Sequence, residues 1–368
     1  MHKNENHVRE PLFHIVKRAA LPGWQSAAIR VLAVLISLIV CGIIIVLFTG
    51  ENPINVYATM IKGAVGTNRR LWNLLQSVAI LLCISLAVTP AFRMRFWNTG
   101  AEGQALIGGL ATAACMIFFG GKMPTALLLI VTVIASIVAG AVWGLIPALF
   151  KAYWGTNETL FTLMMNYVAI QIVSFFTYRF SVPKGSGQIG IINRDTRAGW
   201  LPVIGNNYLL NILIVVVLTI LIYIYLNYSK HGYEISVVGQ SENTARYIGI
   251  DVKKVIIRTM LISGAICGLA GLLLVAGTDH TITRDTIAGR GFTAIMVSWM
   301  AKFNPIYMII TSFLICFMSK GSVEIATVFG FNDSFADIIT GIIIFFIIGS
   351  EFFINYQIKR THREGGKA

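Results

Sequence analysis

Charge is what this chain has least of. Only 12% of its 368 residues are Asp, Glu, Lys or Arg, about half of the roughly 25% found in ordinary soluble domains. Hydrophobic residues make up 56%, and the mean hydropathy is +0.74, which excludes a soluble globular fold. Motifs of self-contained chemistry are also missing: there is no GxxxxGK[ST] phosphate loop, no HExxH, no CxxC and no GxSxG elbow. The chain therefore carries no signature for hydrolysing ATP by itself or for the common hydrolases. Its five cysteines, Cys41, Cys83, Cys115, Cys267 and Cys316, all lie in apolar runs and share no ligand or redox spacing, so they read as packing residues. The six histidines, His2, His7, His14, His231, His280 and His362, all fall outside those runs, which argues against a membrane-embedded histidine metal site.

What charge there is leans one way. The net charge is +13 and the pI near 9.7, but the basic residues are scattered between apolar runs and form no stripe of the kind that grips nucleic acid. A positive-inside bias accounts for them better and places both termini in the cytoplasm of a plasma-membrane protein.

The apolar runs predict an all-α, polytopic membrane protein of about ten transmembrane segments, at about 20 residues per crossing. A polar N-terminal tail, 1–28, precedes a membrane domain over 29–354, and a basic tail, 355–368, follows it. Within the domain the expected segments are 29–48, 72–88, 98–119, 125–150, 155–178, 208–228, 255–276, a short one at 289–301, 305–319 and 335–354. Residues 51–70, 179–207 and 278–289 are expected as outer loops. Gly140 with Gly144, and Gly264 with Gly268, are spaced for close helix packing. Glu102-Gly103 followed by Ile107, and Arg290-Gly291 followed by Ile295, hint at an internal repeat of the sort transporters use at broken helices.

Two groups of polar residues stand out against this apolar ground. The first lies inside spans. Asn98, Glu102 and Gln104 occur in NTGAEGQALIGG, and Glu158, Thr162 and Asn166 recur every four residues from TNETL onward, on one helix face. Intramembrane polar groups are costly unless they face protein or water, so these six are candidates for lining a solute pathway. Asn157 and Glu158 equally suit a helix N-terminus, Thr162 and Asn166 equally suit bonds to a neighbouring helix, and Glu102 could pair with Arg93 or Arg95. Trp97, Trp143 and Trp299 could stack on a planar solute, or serve as anchors and packing groups.

The second group is a polar island, 229–254. Its middle reads as a two-turn helix with Ser241 as N-cap, Glu242 in the first turn, Arg246 near the end and Gly249 as the left-handed stop. A helix so short cannot stand alone in water, so it rests either on the membrane surface or on a partner protein.

FWNTGAEGQALIGG, TNETLFTLMMNYVA, GQSENTARYIGI and SGAICGLAG resemble the permease subunits of ABC importers, in the branch that groups ribose-type sugar, branched-chain amino acid and nucleoside importers. The order and spacing are most similar to the nucleoside, guanosine-type permeases. The resemblance implies that 229–254 is a cytoplasmic coupling loop, with Ser241, Glu242, Ala245, Arg246 and Gly249 at the contact with an ATP-binding cassette subunit. It further implies a second related permease, an extracellular substrate-binding protein or lipoprotein, and ATP bound by the partner, with no cofactor in this chain. Simple sugars and branched-chain amino acids are the alternative solutes. A secondary transporter using the intramembrane carboxylates for ion coupling, or a membrane enzyme, are the alternatives outside the family.

Overall fold

The computed structural model describes residues 13–18, 21–330 and 332–360, and these are helical almost throughout. In chain order the helices are α1 (Gly23–Thr49), α2 (Pro53–Val65), α3 (Asn68–Arg93), α4 (Ala101–Phe119), α5 (Thr125–Trp154), α6 (Glu158–Phe180), α7 (Leu209–Tyr228), α8 (Lys230–Gln240), α9 (Glu242–Tyr247), α10 (Val252–Leu274), α11 (Arg290–Met300), α12 (Pro305–Phe329) and α13 (Asp333–Asn355). A π-helical turn, Val275–Asp279, continues α10. Two short strands, β1 (Phe13–Lys17) and β2 (Tyr356–Arg360), pair antiparallel with Phe13 opposite Arg360. Among the described residues nine helices are long and apolar enough to cross a membrane. The expected tenth segment is α11, which at 11 residues is too short to do so.

The chain divides into two compact units, one made of the segments up to Ala64 and from Met318 onward, the other of Val65–Phe317. In the first, α1 packs along α13, and Arg30 meets Glu351 at 2.6 Å. α2 occupies a stretch expected as loop. Its start was legible, because Asn52 accepts the Ile54 N–H at 2.9 Å and Pro53 takes the first helical position, where no donor is needed. Val56, Met60 and Ala64 are its buried face; their spacing of four is that of one helix stripe.

The second unit is built around α10, which packs against α3, α4 and α5. The two glycine pairs noted in the sequence turn out to be opposite faces of one contact. A Cβ at Gly140 would run into the Gly264 carbonyl, and one at Gly268 into the Ser136 carbonyl. On its other side α10 meets α4 in the same way, with Gly108 against Gly268 and Gly271 against the Ala105 carbonyl. Lipid gives helices no hydrophobic reason to associate, so close backbone approach is what holds them.

The loop 181–207 folds over the ends of α4 and α10. Asn193 donates to the Met116 carbonyl at 2.8 Å, closing the last turn of α4. Trp200 lies flat on His280, with centroids 3.6 Å apart and 4° between planes, and donates its indole N–H to Ile192 O at 2.9 Å. Burial and the nearby Arg197 charge hold the His280 imidazole below its usual 6.5, and its Nδ1 is buried without a partner.

Gly268→Leu should lower membrane abundance and the thermal unfolding midpoint sharply, since overpacking costs at least ~1–3 kcal/mol even where a side chain rather than backbone can yield. Gly341→Ala, which meets nothing within 4 Å, should leave both unchanged. For His280 the folded form binds its proton less readily than the unfolded one, so stability is full above pH ~6.5 and falls as pH drops below it. Acidification from pH 7.5 to 5.5 should loosen the stack, read as a change in Trp200 fluorescence that His280→Phe removes.

Candidate functional site

Five of the six polar residues expected inside spans converge, and they do so where α4, α6, α10 and α11 meet. Asn98, Glu102, Gln104, Thr162 and Asn166 are all buried, none more than 7% exposed. Asn98 and Gln104 pair amide to amide, at 3.3 and 3.2 Å. The Asn98 carbonyl oxygen also accepts the Gly100 N–H at 3.0 Å, and its amide donates to the Ser263 hydroxyl at 3.0 Å. From α6, the Thr162 hydroxyl accepts the Thr99 N–H at 3.2 Å. One turn on, Asn166 donates to the Thr99 carbonyl and accepts the Gly103 N–H, both at 2.8 Å. The turn that opens α4 is thus pinned at Thr99, Gly100 and Gly103. This lies deep, since Ser263 is roughly eleven residues, or ~16 Å, along α10 from its start.

Glu102 passes the pattern on. Its two carboxylate oxygens accept the N–H groups of Gly289 at 2.9 Å and Gly291 at 2.7 Å, capping α11 through the donors that a helix start leaves unpaired. A carboxylate there also meets the positive end of the helix dipole. The approach requires a glycine, because a Cβ at Gly291 would lie 2.6 Å from the Glu102 backbone nitrogen. Neither Arg93 nor Arg95 is its partner. The two segments flagged as a repeat are in fact in contact: the α4 start receives Asn166 at Gly103, and the α11 start receives Glu102 at Gly291.

Glu158 stands apart from the other five. It pairs with Lys151 at 2.8 Å beside Asn157, which caps α6 by accepting the Leu160 N–H at 3.1 Å. Thr99 and Ser263 of the knot carry no signal of their own in the sequence, and Gly289 and Gly291 stand out there only as the start of a short segment and as half of a repeat. Thr99 and Ser263 sit inside motifs that were singled out, and Gly289-Arg290-Gly291 is a loop-to-helix junction whose double glycine was a usable signal. Every polar atom of the knot described here is bonded to protein, so the cluster positions helices. Among the described residues no group of His, Cys, Asp and Glu could hold a metal ion.

The polar island forms a second constellation. Ser229 caps α8 by accepting the Gly232 N–H at 3.0 Å. Glu234 bonds Arg258 of α10 at 2.8 Å, and Gly239 lies so close to the Arg93 carbonyl that no Cβ would fit. α8 occupies the part of the island before the expected two-turn helix, and its Gly232 and Gly239 allow close contact with the backbone of α7 and α3. Next, Ser241 caps α9 by accepting the Thr244 N–H at 3.2 Å, Arg246 reaches back to Glu242 at 3.4 Å, and Gly249 ends the helix at φ +84°. Ala245 is fully buried, whereas Tyr247 is 93% exposed and Ile248 51%. Asp251 caps α10 by accepting the Lys254 N–H at 3.2 Å, and that bond holds its carboxyl below the usual range. Lys253 lies 4.9 Å above the ring of Tyr153, which joins the end of α5 to the same surface.

Glu102→Gln should leave one of the two α11 donors without its carboxylate acceptor, at ~1–3 kcal/mol. Amide exchange at 289–292 should then rise well above that elsewhere in α11, measured by hydrogen–deuterium exchange, while α5 amides keep wild-type protection.

Residues 70–348 match the family model described as branched-chain amino acid transport system / permease component. The glucose ABC transporter permease protein of Haloferax volcanii is 28% identical over 93% of this chain and 92% of its own length. A guanosine ABC transporter permease protein of Bacillus subtilis is 27% identical over 88% of this chain and 93% of its own. A nucleoside ABC transporter permease protein of Lactococcus lactis is 28% identical over 86% and 90%. The matched segment takes in both the buried knot and the α8–α9 loop, and the chain belongs to this family: it is a multi-pass ABC importer permease subunit, not an enzyme.

Proposed function

We propose that this permease carries nucleosides across a plasma membrane as one of two related membrane subunits, with both termini in the cytoplasm. An ATP-binding cassette subunit docks on α9, and an external binding protein delivers solute to the loops 181–207 and 280–289. The observation that carries the docking is Tyr247. It ends a six-residue helix whose one buried residue, Ala245, faces its own chain, and it is 93% exposed beside the half-exposed Ile248. An apolar pair on a cytoplasmic helix of that length needs a protein to cover it. The rigid mounting of α8 through Glu234 and Gly239 suits a part that transmits force, and ATP-driven closure of the partner would bias one state of the pathway over the other.

In this reading Ser241, Glu242, Ala245, Arg246 and Gly249 shape the docking helix. Asn98, Glu102, Gln104, Thr162 and Asn166 flank the solute pathway by fixing α4 and α11, while Glu158 holds the start of α6 against α5. A nucleoside is favoured by the pattern of the polar motifs. Glucose is the second reading, because the glucose permease relative is as similar to this chain as the nucleoside ones.

Cells expressing the chain with its partner subunits should accumulate radiolabelled guanosine, and Tyr247→Asp combined with Gly249→Pro should reduce that uptake at least tenfold at equal membrane abundance. Glucose uptake without guanosine uptake would move the solute to the second reading. Uptake indifferent to the double change would remove α9 from the ATPase contact.

A further inference from the structure

Beside α8, on the face that carries the α9 loop, the second unit contains a cleft of about 410 Å³ lined by Phe92, Arg93, Arg95, Trp97, Ser236, Gly239, Gln240, Trp299 and Phe303. Its size is that of a small-molecule site. The cleft has no part in the knot or in the exposed face of α9.

Three observations say what it would take. The first is an aromatic wall. Trp97 and Trp299 lie 5.5 Å apart, Phe92 is 5.6 Å from Trp97 and 6.2 Å from Phe303, and both indoles are close to half exposed. The second is charge. Arg93 bonds only a backbone carbonyl, Leu226 O at 3.3 Å, and among the described residues neither Arg93 nor Arg95 is paired with a carboxylate. The third is backbone. Arg95, Lys302 and Phe303 hold φ of 60°, 51° and 58°, a left-handed region that costs non-glycine residues energy and clusters at functional positions.

We propose that this cleft is a second ligand site, distinct from the solute pathway, for a small planar aromatic phosphate of the nucleoside monophosphate class. The tilted indole pair offers ring faces to the base, as aromatic side chains bind bases without reading sequence, and the two guanidiniums bind the phosphate through charged, forked hydrogen bonds. A neutral sugar or nucleoside would leave both cations unmatched. An acidic lipid headgroup shares the phosphate but supplies no ring for the Trp97–Trp299 wall. Because Ser236, Gly239 and Gln240 of α8 form one side and Trp299 of α11 another, a bound ligand ties the α9 support to the short helix that Glu102 caps. Binding is independent of which solute the permease carries.

The test is equilibrium dialysis of radiolabelled guanosine monophosphate against the purified full chain in phosphatidylcholine nanodiscs. Saturable binding is expected, weakened about tenfold by Arg95→Gln, as the loss of a charged hydrogen bond predicts, and weakened similarly by Trp299→Leu. Both variants should remain folded, with an unfolding midpoint close to wild type, since Arg95 is exposed and Trp299 is half-exposed. Guanosine should compete at least tenfold less well, and so should inorganic phosphate. Absence of saturable binding overturns the proposal, as does equal affinity in wild type and in folded variants. Phosphate competing as well as the nucleotide would mark an adventitious anion site and overturn it too. So would full displacement in phosphatidylglycerol nanodiscs, which would assign the cleft to a lipid headgroup.

Discussion

A carboxylate inside a membrane helix must find its compensation within the protein, and the position of α11 follows from where Glu102 finds it. The two oxygens accept the N–H groups of Gly289 and Gly291, donors that a helix start would otherwise leave bare in a lipid phase. Each side of the contact solves the other's problem: α11 is too short to span and begins inside the unit, while Glu102 is too polar to face lipid. The same device opens α4, where Asn166 and Thr162 take up the groups of Thr99 and Gly103. Two helix starts buried in the unit are thus held by side chains of another helix, that of α4 by α6 and that of α11 by α4.

That arrangement needs backbones closer than ordinary side chains allow. Gly291 admits Glu102, Gly103 admits Asn166, and Gly108, Gly140, Gly264, Gly268 and Gly271 bring α4, α5 and α10 together. Polar knot and glycine seam are therefore one constraint: directional bonds fix the ends of the helices, and close packing fixes their flanks. The α8–α9 loop is mounted on this body by the Glu234–Arg258 bond to α10 and by the close approach of Gly239 to the Arg93 carbonyl of α3.

Much of the candidate site could be read beforehand and much could not. Asn98, Glu102, Gln104, Thr162 and Asn166 drew notice because polar residues are rare in apolar runs, and rarity needs no geometry. Their partners could not be read as partners. Gly289 and Gly291 contribute backbone N–H groups, which every residue has, and Ser263 is an ordinary residue of an apolar helix. Glu158 shows how a local pattern leaves a choice open: it shares a face with Thr162 and Asn166, and it also sits at the helix start, where Lys151 from the preceding helix reaches it.

The chain alone determined the class of protein, the approximate course of its spans, and the caps of α9, because these depend on composition, run length and contacts within a few residues. Ser241, Arg246 and Gly249 act on neighbours in sequence, and such signals survive without a fold. Tertiary structure alone decided that the glycine pairs of α5 and α10 face each other and that Glu102 caps α11. It also decided that the tails meet through β1 and β2, and that Trp97 and Trp299 close one cleft. Each of these joins residues far apart in the chain through groups that carry no local mark, so only the packed helices could bring them together.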